Sequence, residues 1–164
     1  ALLGIPSSGP HTNGFSLIRM VFGTDSGVEA IQERPGELDG RSIADALLAP
    51  HRSYLADLRP VLGKIRGLAH LTGGGVYKNL PRSIPDGFSA RIDRSTWDVP
   101  PLFRLIQRTG RIAADEMFRV FNMGVGMIVI VEASRAEEVR RSIPGAWKIG
   151  DIVPRSGEAR VVIS

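Results

Sequence analysis

The sequence predicts a layered α/β or α+β sandwich, and three observations point there. Short apolar or alternating runs of strand length recur along the chain, and stretches with apolar residues at helical spacing lie between them. The third is size. A chain of 164 residues with 19 glycines is long enough for one compact domain with many tight turns, and too short to expect two. Strands that alternate with helices bury their apolar faces by stacking in layers.

The chain opens on an apolar strand carried by Leu2, Leu3 and Ile5, already under way at Ala1. A loop over Pro6 to Asn13 follows, then a helix from about Gly14 to Phe22 with Phe15, Ile18 and Phe22 on one face and Asn13 as its N-cap. Residues Gly23 to Gly40, rich in glycine and charge, read as a surface excursion. A helix near Ser42 to Leu48 ends before Pro50, and another covers Pro60 to Ile65 with proline in its first turn. A strand over Leu68 to Leu71, a glycine loop and a helix from near Gly75 come next, and Phe88 to Asp93 alternates like a half-buried strand. Pro100-Pro101 opens a helix through Gln107 that stops near Gly110, with Leu102, Leu105 and Ile106 on one face. A helix over Ala113 to Phe118 precedes the unbroken apolar run Val125 to Val131, which reads as a central strand buried on both faces. Ser134 and Glu137 have the spacing of a capping box for a helix to about Ser142, whose buried face is Ala136, Val139 and Ile143. Strands around Trp147 to Val153 and Arg160 to Ile163 complete the chain.

Composition excludes several classes of function. There is no cysteine, so a disulfide framework, a thiolate metal site and a cysteine nucleophile are all ruled out. The uncharged run around the apolar segment VFNMGVGMIVIV, Val120 to Val131, is too short to span a bilayer. The N-terminus has neither the basic region nor the cleavage pattern of a signal peptide, so a soluble cytoplasmic protein is expected. The net charge of +4 raises the question of nucleic acid. The arginines are dispersed among 17 acidic residues, however, and no basic run is interleaved with aromatics as a single-strand groove requires. Neither nucleic acid nor membrane is expected as a partner.

The stretch from Ser7 to Arg19, SSGPHTNGFSLIR, gathers serines, glycines, a histidine, a threonine and an asparagine where a strand hands over to a helix. Backbone N–H groups at a helix start have no intrahelical partner, and with the helix dipole they favour an anion. Ser7, Ser8 and Thr12 add hydroxyls, and Gly9 and Gly14 permit close backbone approach. The same logic recurs at Thr72-Gly73-Gly74-Gly75, so the pair suggests a phosphorylated ligand. Glycine-rich turns of this kind also serve structure alone, and the pattern is neither a P-loop nor G-x-G-x-x-G.

Two of the three histidines, His11 and His70, lie in or just before these loops, where they would act as charge donors or proton shuttles. His51 sits between helices without such context and reads as a surface residue. Asn122 is a third candidate for a ligand contact, although a tight turn into the strand after it accounts for it equally well. No metal site emerges, because the chain lacks H-E-x-x-H, cysteine ligands and a clear carboxylate cluster.

Taken in order, SSGPHTNGFSLIR, LLAPHRSYL, AHLTGGGVYKNLPR and EMFRVFNMGVGM resemble the C-terminal domain of aminoimidazole ribonucleotide synthetase, the phosphoribosylformylglycinamidine cyclo-ligase of purine biosynthesis. The resemblance runs essentially end to end. Phe15, where the family often has tyrosine, and His51, where threonine is common, depart from it. It implies an α+β sandwich in which helices cover a mixed sheet. It also implies a ligase that uses Mg-ATP to activate the formyl oxygen of formylglycinamidine ribonucleotide for attack by the amidine nitrogen.

By the same resemblance the chain is one domain, the C-terminal half of a parent enzyme and a partner to a missing N-terminal half. ATP and Mg²⁺ would be bound largely by that half, with no cofactor expected in this chain alone. The full-length enzyme would be a homodimer acting on a phosphorylated ribonucleotide. The site residues implied are His11 and His70 as catalytic groups. Ser7, Ser8, Gly9, Thr12, Asn13, Thr72, Gly73, Gly74 and Gly75 would bind substrate, chiefly its phosphate. Two alternatives stand beside this: another ATP-dependent member of the same superfamily, or a stand-alone module that binds a phosphorylated ligand without catalysis.

Overall fold

Alternation along the strands decides which residues face which layer, because successive side chains on a strand point to opposite sides. In the computed structural model, which describes residues 1–164, strand β1 (Leu2–Pro6) places Leu2 in one apolar cluster and Leu3 and Ile5 in another. Five further strands join it: β2 (Ile65–His70), β3 (Phe88–Ile92), β4 (Val125–Val131), β5 (Trp147–Pro154) and β6 (Val161–Ile163). They form one sheet in the order β2-β4-β1-β5-β3-β6. Every pairing is antiparallel except β3 with β6, so the sheet is mixed and the architecture is α+β.

The unbroken apolar run at β4 occupies an interior place between β2 and β1, with Leu3 opposite Val129 and His70 opposite Met127. Both faces of it are covered: Ile128 enters the larger cluster, while Val129 and Val131 enter the smaller. The larger cluster is covered by α1 (Phe15–Phe22), α3 (Ile43–Leu47), α5 (Gly75–Asn79), α6 (Pro101–Gly110) and α7 (Ala114–Val120). On the other face lie α4 (Leu55–Leu58), the 3₁₀ segment Arg59–Lys64 and α8 (Ala136–Ser142), which bring Tyr54, Leu58, Val61, Val139 and Ile143 onto the sheet. No helix is long and apolar enough to cross a membrane.

Several elements differ from the expectation. The strand expected at Leu68 to Leu71 starts earlier, at Ile65, because its pairing with β4 extends to Val131. The helix expected over Pro60 to Ile65 is a 3₁₀ segment, preceded by the short helix Leu55–Leu58. The surface excursion after Gly23 contains a one-turn helix, Glu29–Gln32 (α2 in chain order), and a 3₁₀ turn, Gly36–Leu38, that buries Leu38. The capping box at Ser134 and Glu137 does not form. A 3₁₀ turn at Ala133–Arg135 shifts the helix start, and Glu137 binds Arg140 and Arg141 instead. A true capping box sits at Ser42, whose side chain accepts from Asp45 N–H while the Asp45 carboxylate accepts from Ser42 N–H.

Candidate functional site

The loop between β1 and α1 is held by one buried amide. Asn122 Nδ2 donates to Gly9 O at 2.8 Å, and its Oδ1 accepts from Ser7 Oγ and from Gly124 N–H, both at 2.9 Å. Buried, with its carbonyl oxygen and one N–H engaged internally, Asn122 is a structural clamp. Asn13 does not cap α1. The cap is Gly14 in left-handed conformation, and Asn13 Nδ2 donates to His11 O at 2.6 Å.

The hydroxyls expected to face an anion are also engaged within the protein. Ser7 Oγ donates to Asn122, Ser8 Oγ to Pro50 O, Thr12 Oγ1 to His11 O and Thr72 Oγ1 to Asn79 Oδ1. Any anion at these loops would therefore meet backbone N–H groups and cations before it met a free hydroxyl. His11 and Thr12 both adopt left-handed backbone, at φ 53° and 62°. For non-glycine residues this stores roughly 1–3 kcal/mol each, and such strain clusters at functional sites.

The Thr72 to Gly75 loop lies beside the first, with Gly73 next to Asn13 Oδ1. Its organiser, which the sequence reading missed, is buried Asn79. The Asn79 amide donates to Gly75 O at 2.7 Å and to Thr72 O at 3.2 Å. Gly75 is packed hard: its φ is +56°, and a Cβ would overlap the carbonyl oxygen of Phe118. Gly74 faces a depression of about 320 Å³ shared with Tyr77, Lys78 and Arg119. Ser7, Ser8 and Gly9 open toward a different one, of about 270 Å³, which includes Arg41. A larger depression, about 500 Å³, involves none of the expected site residues; Arg94, Trp97, Asp98 and Arg104 are among its walls.

The histidines converge. A strap from Pro50 to Tyr54 crosses the first loop: Arg52 N–H donates to Ser8 Oγ, Tyr54 Oη donates to Pro6 O, and Arg52 pairs with Asp57 at 2.8 Å. The strap carries His51 onto His11, with the rings stacked 3.9 Å apart, and brings His51 Nε2 to 3.0 Å from His70 Nε2. His51, expected as an isolated surface residue, is thus a member of the cluster. It was invisible beforehand because the contact joins residues 19 and 40 positions apart in the chain.

Gly126 completes the arrangement. A Cβ there would overlap the Tyr54 hydroxyl and lie 2.8 Å from His11 Cε1, so the missing side chain is the space these two rings use. His11 is only 2% exposed. Burial, followed by the charges of His51, His70 and Arg52, pushes its pKa down from 6.5 to about 4. Burial and then His51 also lower His70. Both imidazoles are therefore neutral at pH 7, and the acceptor nitrogen of His11, Nε2, already takes the Ser8 N–H. Tyr54, buried beside them, is pushed up to about 12 and stays a neutral hydroxyl.

The family model for the AIR synthase related protein C-terminal domain matches residues 1–163. The chain belongs to that family. Among similar curated proteins is the phosphoribosylformylglycinamidine cyclo-ligase of Burkholderia mallei (strain SAVP1), 44% identical over 169 residues, or 99% of this chain and 47% of the relative. The protein of the same name from Pseudothermotoga lettingae is 44% identical over 168 residues, covering 99% of this chain and 48% of the relative. The chain thus spans about half the length of the curated relatives it matches. The fold is shared with E. coli HypE, a hydrogenase maturation protein, at TM-score 0.58 and 24% identity, covering 99% of this chain and 45% of that one. It is also shared with thiamine-monophosphate kinase from Stenotrophomonas maltophilia K279a, at TM-score 0.61 and 12% identity, covering 99% and 49%.

Proposed function

We propose that this chain is the substrate-binding C-terminal part of an ATP-dependent cyclo-ligase that converts formylglycinamidine ribonucleotide to aminoimidazole ribonucleotide in purine biosynthesis. The observation that carries this reading is the 44% identity, over 99% of the chain, to proteins named phosphoribosylformylglycinamidine cyclo-ligase. In the reaction, phosphoryl transfer from ATP to the formyl oxygen makes that carbon electrophilic. The amidine nitrogen attacks, phosphate departs, and loss of a proton leaves the imidazole ring. ATP and Mg²⁺ belong largely to the part of the enzyme outside this chain, which acts as a cytoplasmic homodimer when complete.

The residues here have binding and orienting roles in this reading. The substrate phosphate lies at the glycine loop, over Gly73 and Gly74, with Lys78 and Arg119 supplying positive charge beside it. The neutral imidazoles of His11 and His70 orient the formylglycinamidine group, and His70, the more accessible of the two, takes the proton released on ring closure. Ser7, Ser8, Gly9, Thr12 and Asn13 hold His11 in its strained position more than they touch the ligand, since their polar groups are spent on the loop itself.

The test is turnover of formylglycinamidine ribonucleotide with Mg-ATP by the full-length enzyme and by this chain alone, with thiamine monophosphate as the comparison substrate. The full-length protein should close the ring on the first substrate only, and the chain alone should do neither. Turnover of thiamine monophosphate instead would move the protein to another branch of the superfamily. Ring closure by the chain alone would show that the missing half is not needed for chemistry.

A further inference from the structure

We propose that His11, His51 and His70 together form a binding site for a divalent transition-metal ion, of which zinc is the best match. One ring nitrogen of each lies within 4.8 Å of the other two. The Nε2 atoms of His51 and His70 are 3.0 Å apart in a hydrogen bond whose proton shifts to an Nδ1 when both ligate. Zinc held at about 2.0–2.1 Å by imidazole nitrogens in tetrahedral geometry sets neighbouring ligand atoms about 3.3 Å apart, so one pair already stands at ligand spacing. His51 is exposed, and its ring must tilt out of its stack on His11 for the lone pairs of both to meet one ion.

A second observation concerns His11. Its Nδ1 is buried with no hydrogen-bond partner, an unsatisfied polar atom inside a folded chain. Its Nε2 accepts from Ser8 N–H and lies 2.9 Å from Ser8 Oγ. In the metal-free chain this puts the ring proton on Nδ1; ligation through Nδ1 moves it to Nε2, where Ser8 Oγ accepts it in place of the Ser8 N–H contact, an outer hydrogen bond of the kind that fixes the tautomer of a metal-binding histidine. The Ser8 hydroxyl is itself oriented by donating to Pro50 O and accepting from Arg52 N–H.

Three imidazoles without a carboxylate or thiolate suit zinc, nickel or copper, and leave magnesium and calcium, which prefer oxygen, unserved. Three protein ligands also leave one zinc position open for water or an exogenous ligand. The proposal stands without the ribonucleotide reading, and where both hold, zinc inhibits, because His70 bound through Nε2 has no lone pair left for the proton of ring closure.

Titration calorimetry of zinc chloride into the chain in a buffer free of phosphate and chelator reads stoichiometry and affinity, with thermal melts of each metal-free protein beside it. The expected result is one zinc per chain. His51→Thr, which alters an exposed side chain, should weaken binding about tenfold or more with the metal-free melt unchanged, and His70→Asn should act in the same direction. Absence of saturable binding by the parent chain overturns the proposal. So does binding by His51→Thr as tight as that of the parent, since the ion would then sit elsewhere.

Discussion

The ring of His51 stacks 3.9 Å from buried His11, and its Nε2 stands 3.0 Å from that of His70. The stack joins the first loop, the strap that crosses it and the end of strand β2. Each of the three segments is fixed by a separate tie: Asn122 holds the loop, Arg52 and Tyr54 hold the strap, and pairing with β4 holds the strand. Changes to the ties should therefore be separable from changes to the rings.

The histidines come first. In the full-length enzyme, His70→Ala should lower kcat by about 10²-fold or more while the cooperative melt is retained, since His70 is half-buried at a strand end. His11→Ala should lower both activity and stability, because a ring 2% exposed leaves a cavity. Steady-state kinetics set beside thermal melts check this, and wild-type kinetics for His70→Ala would remove it from the reaction.

Acid should weaken the fold through His11. The unfolded chain takes up this proton below about pH 6.5, whereas folded His11 resists protonation down to about pH 4. Its contribution is therefore complete above pH 6.5 and is lost as pH falls through that window, about 1–2 kcal/mol by pH 5. His70 acts in the same direction. The melting temperature should drop between pH 7 and pH 5, and drop less in His11→Asn. Equal slopes in the two proteins would show that other groups govern acid sensitivity.

Gly74 and Gly75 should separate binding from folding. At Gly75 an alanine Cβ would overlap the Phe118 carbonyl, so Gly75→Ala should disrupt folding. At Gly74 a Cβ would stand 2.4 Å from Lys78 Cδ and 2.7 Å from the backbone-fixed Lys78 Cβ, and the φ of +92° adds about 1 kcal/mol. Gly74→Ala should melt below the parent but above Gly75→Ala, and its affinity for the ribonucleotide in the full-length enzyme should fall while most of the protein is still folded. Unchanged affinity would reduce the loop to a structural turn.

Asn122→Ala should destabilise by roughly 2–4 kcal/mol, since it strands the Ser7 hydroxyl, Gly9 O and Gly124 N–H together. Asn122→Asp should recover part of this, because a carboxylate still accepts from Ser7 and Gly124 while losing the donation to Gly9. A denaturant melt of both variants checks the order, and identical stabilities would mean that the amide is not the clamp.

The sequence by itself determined the strands and most of the helices, because their signals are local. Val125 to Val131 is a continuous apolar run and became an interior strand with those bounds. Leu102, Leu105 and Ile106 at helical spacing became the buried face of α6. It also marked both glycine loops and two of the three histidines. It mistook Asn13 for a cap and Ser134 with Glu137 for a capping box, since a residue of the right type at the right spacing has other partners once the chain is folded. Only the tertiary structure decided that His51 belongs with His11 and His70, that Asn79 and Asn122 organise the loops, and that Gly126 is a gap filled by Tyr54 and His11. Those relationships join segments distant in the chain, where hydrogen-bond direction and the space left by one missing side chain are set by packing. No periodicity in the sequence encodes them.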